Sequence, residues 1–190
     1  MPMNIRRACV FCGSSSGFPP VFVEAAQELG RTLARNGIGL VYGGAHVGMM
    51  GALADAALAE GGHVTGVIPE SLVAREVAHK HLSDLRIVAT MHQRKALMAD
   101  LSDAFIALPG GFGTLDEFCE VLTWSQLGIH SKPCGLLNIT GYYDPLLALF
   151  DRAVRDGLLN PANRSIVLAE TTAAELLEKL SRTRVPRVDK

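Results

Sequence analysis

The chain has 190 residues, 48% hydrophobic and 19% charged, which suits one compact domain and excludes a disordered chain. Its net charge of −1 excludes the broad basic footprint that nucleic acid or an anionic membrane would need, so an anionic ligand must be small and held by local geometry. The start MPMNIRRACVFCGSS does not read as a signal peptide, no apolar stretch reaches the roughly 18 residues of a membrane span, and four cysteines make no disulfide framework, so a cytoplasmic protein is expected.

Along the chain, short apolar runs alternate with amphipathic stretches. A strand is expected at 8–12 and a helix at 20–36, where Phe22, Ala26, Leu29 and Leu33 share one stripe. A strand at 39–42, a helix at 47–60, strands at 63–68 and 85–88 and a helix at 92–101 follow. Then come a strand at 104–108, a helix at 115–127, a strand at 134–138 and a helix at 143–156, with a strand at 165–168 and a last helix at 173–181. Most strands are continuously apolar, as parallel strands buried on both faces should be. The alternation predicts an α/β fold: a doubly wound, Rossmann-like parallel sheet with helices on both faces. No Pro-, Gly- or Ser-rich linker and no repeat divides the chain, so 1–181 reads as a single domain. The basic tail RTRVPRVDK, 182–190, reads as a flexible terminus.

In open α/β sheets, ligands bind beyond the carboxyl ends of the strands. Here those ends carry CGSSSG, YGGAHVGMMG, VIPESL, TMHQRK and LPGGFGTLDE, so glycines, hydroxyls, Arg94, Lys95 and Glu117 should meet on one rim. The last of these segments is the sharpest signal. Gly110, Gly111 and Gly113 let the main chain turn tightly and approach a ligand, and a helix starting near Thr114 adds N–H groups and partial positive charge. The Gly-Lys-Ser/Thr ending of a nucleoside-triphosphate loop is missing. The glycine spacing is wrong for a dinucleotide fingerprint, and the next strand ends at Asn138 rather than at an acid. A monophosphate suits a loop with no lysine of its own. Gly13, Ser14, Gly43 and Gly44 are further candidates for phosphate or ribose contacts, with helix entry and tight packing as their alternative roles.

Two readings compete for Glu117. Thr114-Leu115-Asp116-Glu117 has the spacing of a capping box, and acids in a first helical turn are favoured by the dipole. The other reading is catalytic, with Arg94 on a neighbouring rim loop as its cation; Arg94 and Lys95 also suit an exposed helix face. Cys9 and Cys12 form a CxxC inside a strand, where a spacing of three points them to opposite faces, so buried structural cysteines are expected. The histidines at 46, 63, 79, 81, 92 and 130 lack a metal-ligand spacing, and no metal is expected.

The segments TMHQRKA at 90–96, PGGFGTLDE at 109–117 and TWSQLGIHSKP at 123–133 resemble the Lonely Guy family of cytokinin riboside 5′-monophosphate phosphoribohydrolases, and the resemblance spans almost the whole chain. It implies release of the base from a nucleoside 5′-monophosphate, AMP or an N6-modified adenosine monophosphate, leaving ribose 5-phosphate. By matching positions it implies catalytic Arg94 and Glu117. It implies substrate contacts at Glu76, Arg94, Lys95, Gly111, Phe112, Gly113, Thr114, Leu115, Asp116, Glu117 and Thr123. It further implies no cofactor, and a homodimer or larger assembly with the site near the subunit interface. Members are often labelled lysine decarboxylases, a chemistry that needs a pyridoxal site around a Schiff-base lysine and finds no support in these residues. The rival from another class is a nucleotide-binding sensor of the same fold that holds its ligand without cleaving it.

Overall fold

The structure is a computed structural model that describes residues 4–18, 20–73 and 78–185. Among these residues, seven strands form one sheet: β1 (Arg7–Phe11), β2 (Gly39–Tyr42), β3 (Val64–Pro69), β4 (Asp84–Val88), β5 (Ala104–Ala107), β6 (Cys134–Leu137) and β7 (Val167–Glu170). Their order is β4-β3-β2-β1-β5-β6-β7, and every pairing is parallel. The connecting helices are α1 (Val21–Arg35), α2 (Gly48–Ala59), α3 (Glu70–Val73), α4 (Met91–Asp100), α5 (Phe112–Gln126), α6 (Asp144–Arg155), α7 (Pro161–Arg164) and α8 (Ala173–Arg182).

The inner strands are buried along nearly their whole length because helices cover both faces. One face carries Leu29 and Leu33 of α1, Leu53 and Ala57 of α2, and Leu176 and Leu180 of α8. The other carries Met98 of α4, Phe118 and Val121 of α5, and half-buried Leu146 and Phe150 of α6. Cys9 belongs to the second core and Cys12 to the first, as a spacing of three along an extended chain requires. Strand order reverses at β1, between β2 on one side and β5 on the other. The crevice beyond β1 and β5 is therefore the switch point where an open α/β sheet takes its ligand.

The expected fold class is the observed one, with three local differences. Helix α5 begins at Phe112, three residues before the expected start, because the two glycines that lower helix propensity fall in the cap and first turn, where it matters least. The short helices α3 and α7 are single turns that periodicity does not register; Asn160 caps α7 and Pro161 opens it, moving the last strand to Val167–Glu170. Helix α8 runs through Arg182, so the tail begins one residue later than expected; 186–190 lie outside the described residues.

Candidate active site

At the end of β1 the chain passes through Cys12, Gly13 and Ser14, and at the end of β5 through Leu108, Pro109 and Gly110. The two loops are joined across the switch point by Gly13 N–H donating to Pro109 O at 3.4 Å. Between them opens a cavity of about 250 Å³ lined by Cys12, Gly13, Ser14, Met50, Arg94 and, from the start of α5, Gly111 to Thr114 with Glu117.

Arg94 reaches this cavity from α4, only 5% exposed. Its Nε donates to Val67 O at 3.1 Å and its Nη2 to Gly43 O at 2.8 Å, which fixes the plane of the guanidinium. A Cβ on residue 43 would fall 1.9 Å from Nη2, so glycine is required there to let the arginine pass. Gly43 and Gly44 are buried and do not line the cavity; Gly43 makes room for Arg94, and Gly44 O accepts the His79 amide at 2.9 Å.

Helix α5 supplies the opposite wall. Its N-cap is Gly111, with no side-chain cap, so the first N–H groups have no partner within the helix. Gly111, Phe112 and Gly113 are exposed, Phe112 at 92%, while Thr114 is buried at 3%. Gly110 is tightly confined: a Cβ there would meet Thr114 Oγ1 at 2.1 Å and Gly13 N at 3.0 Å. Thr114 is the third residue of α5 and not its cap, so the capping-box reading of Thr114 and Glu117 fails. Glu117 lies in the second turn, half-buried, on the cavity wall with Arg94.

The neighbouring thiols register both charges. Burial pushes Cys9 and Cys12 up, the Glu117 carboxylate adds to both shifts, and the Arg94 guanidinium pulls Cys9 back. Cys12 therefore stays a neutral thiol near pH 7, which removes it as a nucleophile. Its place at the end of β1 is readable from the rim rule, as is that of Met50 in the first turn of α2, just beyond β2.

Of the remaining expected contacts, Lys95, Leu115, Asp116 and Thr123 do not line this cavity. Lys95 points away from the cavity to Asp116 at 3.2 Å and Glu120 at 3.0 Å, tying α4 to α5. Burial opposes its charge, yet those two carboxylates hold its pKa above the ordinary lysine value. Leu115 is half-buried against the core, and Glu76 lies outside the described residues. Thr123 bonds its own helix at Cys119 O and lines a second, apolar cleft of about 270 Å³ between α5, α6 and α7.

One cluster escaped the spacing argument because three distant segments build it. His46, Asp55 and His79 each place a ligand atom within 4.8 Å of the others. His79 accepts the His81 amide on Nδ1 at 3.2 Å, so its proton is on Nε2 and is donated to Asp55 at 2.8 Å. His130 repeats the arrangement, with Nδ1 accepting the Lys132 amide and Nε2 donating to Val121 O. An imidazole engaged on both nitrogens braces the fold and leaves neither nitrogen open to a cation.

A family model described as "Possible lysine decarboxylase" matches residues 50–180. A cytokinin riboside 5′-monophosphate phosphoribohydrolase of Arabidopsis thaliana is 51% identical over 187 residues, covering 98% of this chain and 87% of its own. A second from the same plant is 53% identical over 177 residues, covering 93% and 82%. Among solved structures, the molybdenum cofactor carrier protein of Chlamydomonas reinhardtii superposes with a TM-score of 0.71 at 20% identity, over 93% of this chain and 98% of that one, a likeness of fold alone. Relatives this close along nearly the whole length leave one conclusion: the chain belongs to the family of cytokinin riboside 5′-monophosphate phosphoribohydrolases.

Proposed function

We propose that the protein hydrolyses the N-glycosidic bond of adenosine 5′-monophosphates, N6-modified or plain, to the free base and ribose 5-phosphate. The observation that carries the residue roles is the meeting of Arg94 and Glu117 in a cavity walled by an uncapped helix start. The N–H groups of Gly111 to Thr114 take the 5′-phosphate, aided by the helix dipole. Glu117 lies three residues past Thr114, about 4.5 Å along the axis, and helical side chains lean back toward the N-terminus. Its carboxylate is therefore placed near the ribose rather than the phosphate.

As the bond from C1′ to the base nitrogen breaks, its electron pair leaves with the base and positive charge grows on the sugar, as in glycoside hydrolysis. Glu117 stabilises that charge and takes a proton from the water that attacks C1′; it returns that proton to solvent, and one from solvent joins the departing base nitrogen, so the carboxylate is restored. Arg94, fixed by Val67 O and Gly43 O, orients the carboxylate from across the cavity or meets the phosphate. Phosphate binding orients the ribose, so its energy lowers the barrier to the chemical step. A decarboxylase reading fares poorly: Lys95 is held charged by two carboxylates, whereas a Schiff-base lysine needs a lowered pKa.

The exposed Leu127 and Ile129 after α5, together with Thr123 outside the cavity, support pairing with a second copy that completes the site. Four free cysteines support a reducing, cytoplasmic setting, and no described helix is long and apolar enough to cross a membrane. The test is an assay for free base and ribose 5-phosphate with AMP, N6-isopentenyl-AMP and adenosine. Both nucleotides should be cleaved, and adenosine should be poorer by orders of magnitude, each factor of ten being about 1.4 kcal/mol. Equal turnover of adenosine removes the phosphate handle; release of no base from either nucleotide removes the hydrolase.

A further inference from the structure

The glycine loop is gripped from behind by two consecutive tyrosines roughly thirty residues later in the chain. Tyr143 Oη donates to Leu108 O at 2.6 Å, and Tyr142 Oη donates to Gly110 O at 2.7 Å. With Gly13 N–H on Pro109 O, three successive carbonyls are each held by a donor of the protein. A trans peptide points its C=O and the next N–H in opposite directions. Fixing Gly110 O on Tyr142 therefore aims Gly111 N–H the other way. The peptide between residues 110 and 111 joins two glycines and could otherwise turn over at little steric cost.

The chain is bent to make this contact. Thr140 has φ 52°, the single non-glycine left-handed residue among the described ones, and Gly141 follows at φ 75°. Such strain persists where the surroundings enforce it, and it marks a segment with a task. Asn138 fixes the bend, its Oδ1 accepting the Tyr143 amide and its Nδ2 donating to Asp144, both at 2.7 Å. The ring of Tyr142 meets Tyr143 edge-on at 5.1 Å and Phe22 of α1 at 5.9 Å. The hydroxyl is thus carried on a braced aromatic stack.

We infer that Tyr142 is a positioning residue that locks the Gly110–Gly111 peptide with its N–H toward the phosphate of the ligand. This rests on the phosphate grip proposed above. Tyr143 differs from it: the peptide after Leu108 leads into Pro109, which has no N–H to aim, so its bond serves stability.

The experiment measures binding of ribose 5-phosphate and of adenosine by calorimetry, with thermal melting, for the wild type, Tyr142→Phe and Tyr143→Phe. Tyr142→Phe keeps the ring stack and should lose roughly tenfold in ribose 5-phosphate affinity, the scale of one charge-assisted hydrogen bond. Its adenosine affinity should be unchanged, its melting temperature should hold within about 1 °C, and KM for AMP should rise more than kcat falls. Tyr143→Phe, which leaves a buried carbonyl without its donor, should melt lower and bind ribose 5-phosphate normally. Equal ribose 5-phosphate affinity in Tyr142→Phe and wild type overturns the inference, as does an equal loss for adenosine. Because binding needs no turnover, a protein that binds ribose 5-phosphate but cleaves no AMP fails the hydrolase reading while leaving this one decided by the affinity ratio.

Discussion

Helices α4 and α5 both begin at the carboxyl end of a strand on the same rim, and they finish their N-termini in opposite ways. In α4 the cap residue Thr90 accepts Gln93 N–H on its hydroxyl at 3.2 Å, while Gln93 Oε1 takes the amides of Thr90 and Ala89. That end is sealed by its own side chains. In α5 the cap is Gly111, no side chain closes it, and the first residues are exposed. A side-chain cap is worth about 1 kcal/mol over alanine but only a few tenths over glycine, so the open end of α5 forgoes a little of the stability that α4 takes at Thr90. The difference teaches that one backbone ending has two uses. It stabilises the fold when capped from within, and it offers its N–H groups outward when left open, which is what the proposed phosphate grip requires.

The largest effect should come from Glu117, which a capping box would have made structural. Glu117→Gln keeps shape and hydrogen bonding but removes the negative charge and the base. Turnover of AMP should fall about 10² to 10⁴-fold or more, with little change in melting temperature or in ribose 5-phosphate binding. The neighbouring Asp116→Asn is the contrast: about 100° around the helix and paired with Lys95, it should change turnover only slightly. Near-normal turnover in Glu117→Gln would return that residue to a structural role, and the nucleotide-sensor reading would replace the hydrolase.

A second change closes the open helix. A Cβ at residue 111 meets nothing within 4 Å, and φ −88°, ψ −154° suits an ordinary residue. Gly111→Asp should therefore cap α5 and put a carboxylate where the phosphate is to lie. Without ligand the variant should melt slightly higher than the wild type, since aspartate is at least as good a cap as glycine. Added ribose 5-phosphate should raise the melting point of the wild type and leave the variant unmoved. A variant stabilised by the ligand as much as the wild type would show that the phosphate goes elsewhere.

How far the sequence carried this comparison depended on distance along the chain. The strands were legible because parallel strands covered on both faces are continuous apolar runs, and the rim rule then gathered Arg94, the glycine loop and Glu117. Glycine lowers helix propensity on average, while a cap and a first turn accept it, so the sequence pattern puts the start of α5 three residues late and makes Thr114 a false cap. The real capping box is at Thr90 and Gln93, where α4 starts at Met91, one residue ahead of the expected start at His92. What no local pattern holds is the long-range support: Val67 O under Arg94, the tyrosine hydroxyls behind Gly110, and the His46, Asp55 and His79 brace. Backbone carbonyls carry no residue signature, so their partners emerge only from the fold.

The smallest expected effect tests the sealed end. Thr90→Ala removes the hydroxyl that accepts Gln93 N–H and should lower stability by about 1 kcal/mol, or roughly 2–4 °C for a chain of this size. Thr90→Ser should restore most of it. Although α4 carries Arg94, that side chain is held at its far end by Val67 O and Gly43 O, neither of which belongs to the cap. Fraying the first turn of α4 should therefore leave the guanidinium in place and turnover within about twofold of the wild type, since an exposed cap works locally. A fall in turnover with melting unchanged would mean that the Thr90 cap tunes Arg94 directly. The two helix starts would then both belong to the catalytic apparatus, and the division between a structural end and a ligand end would be lost.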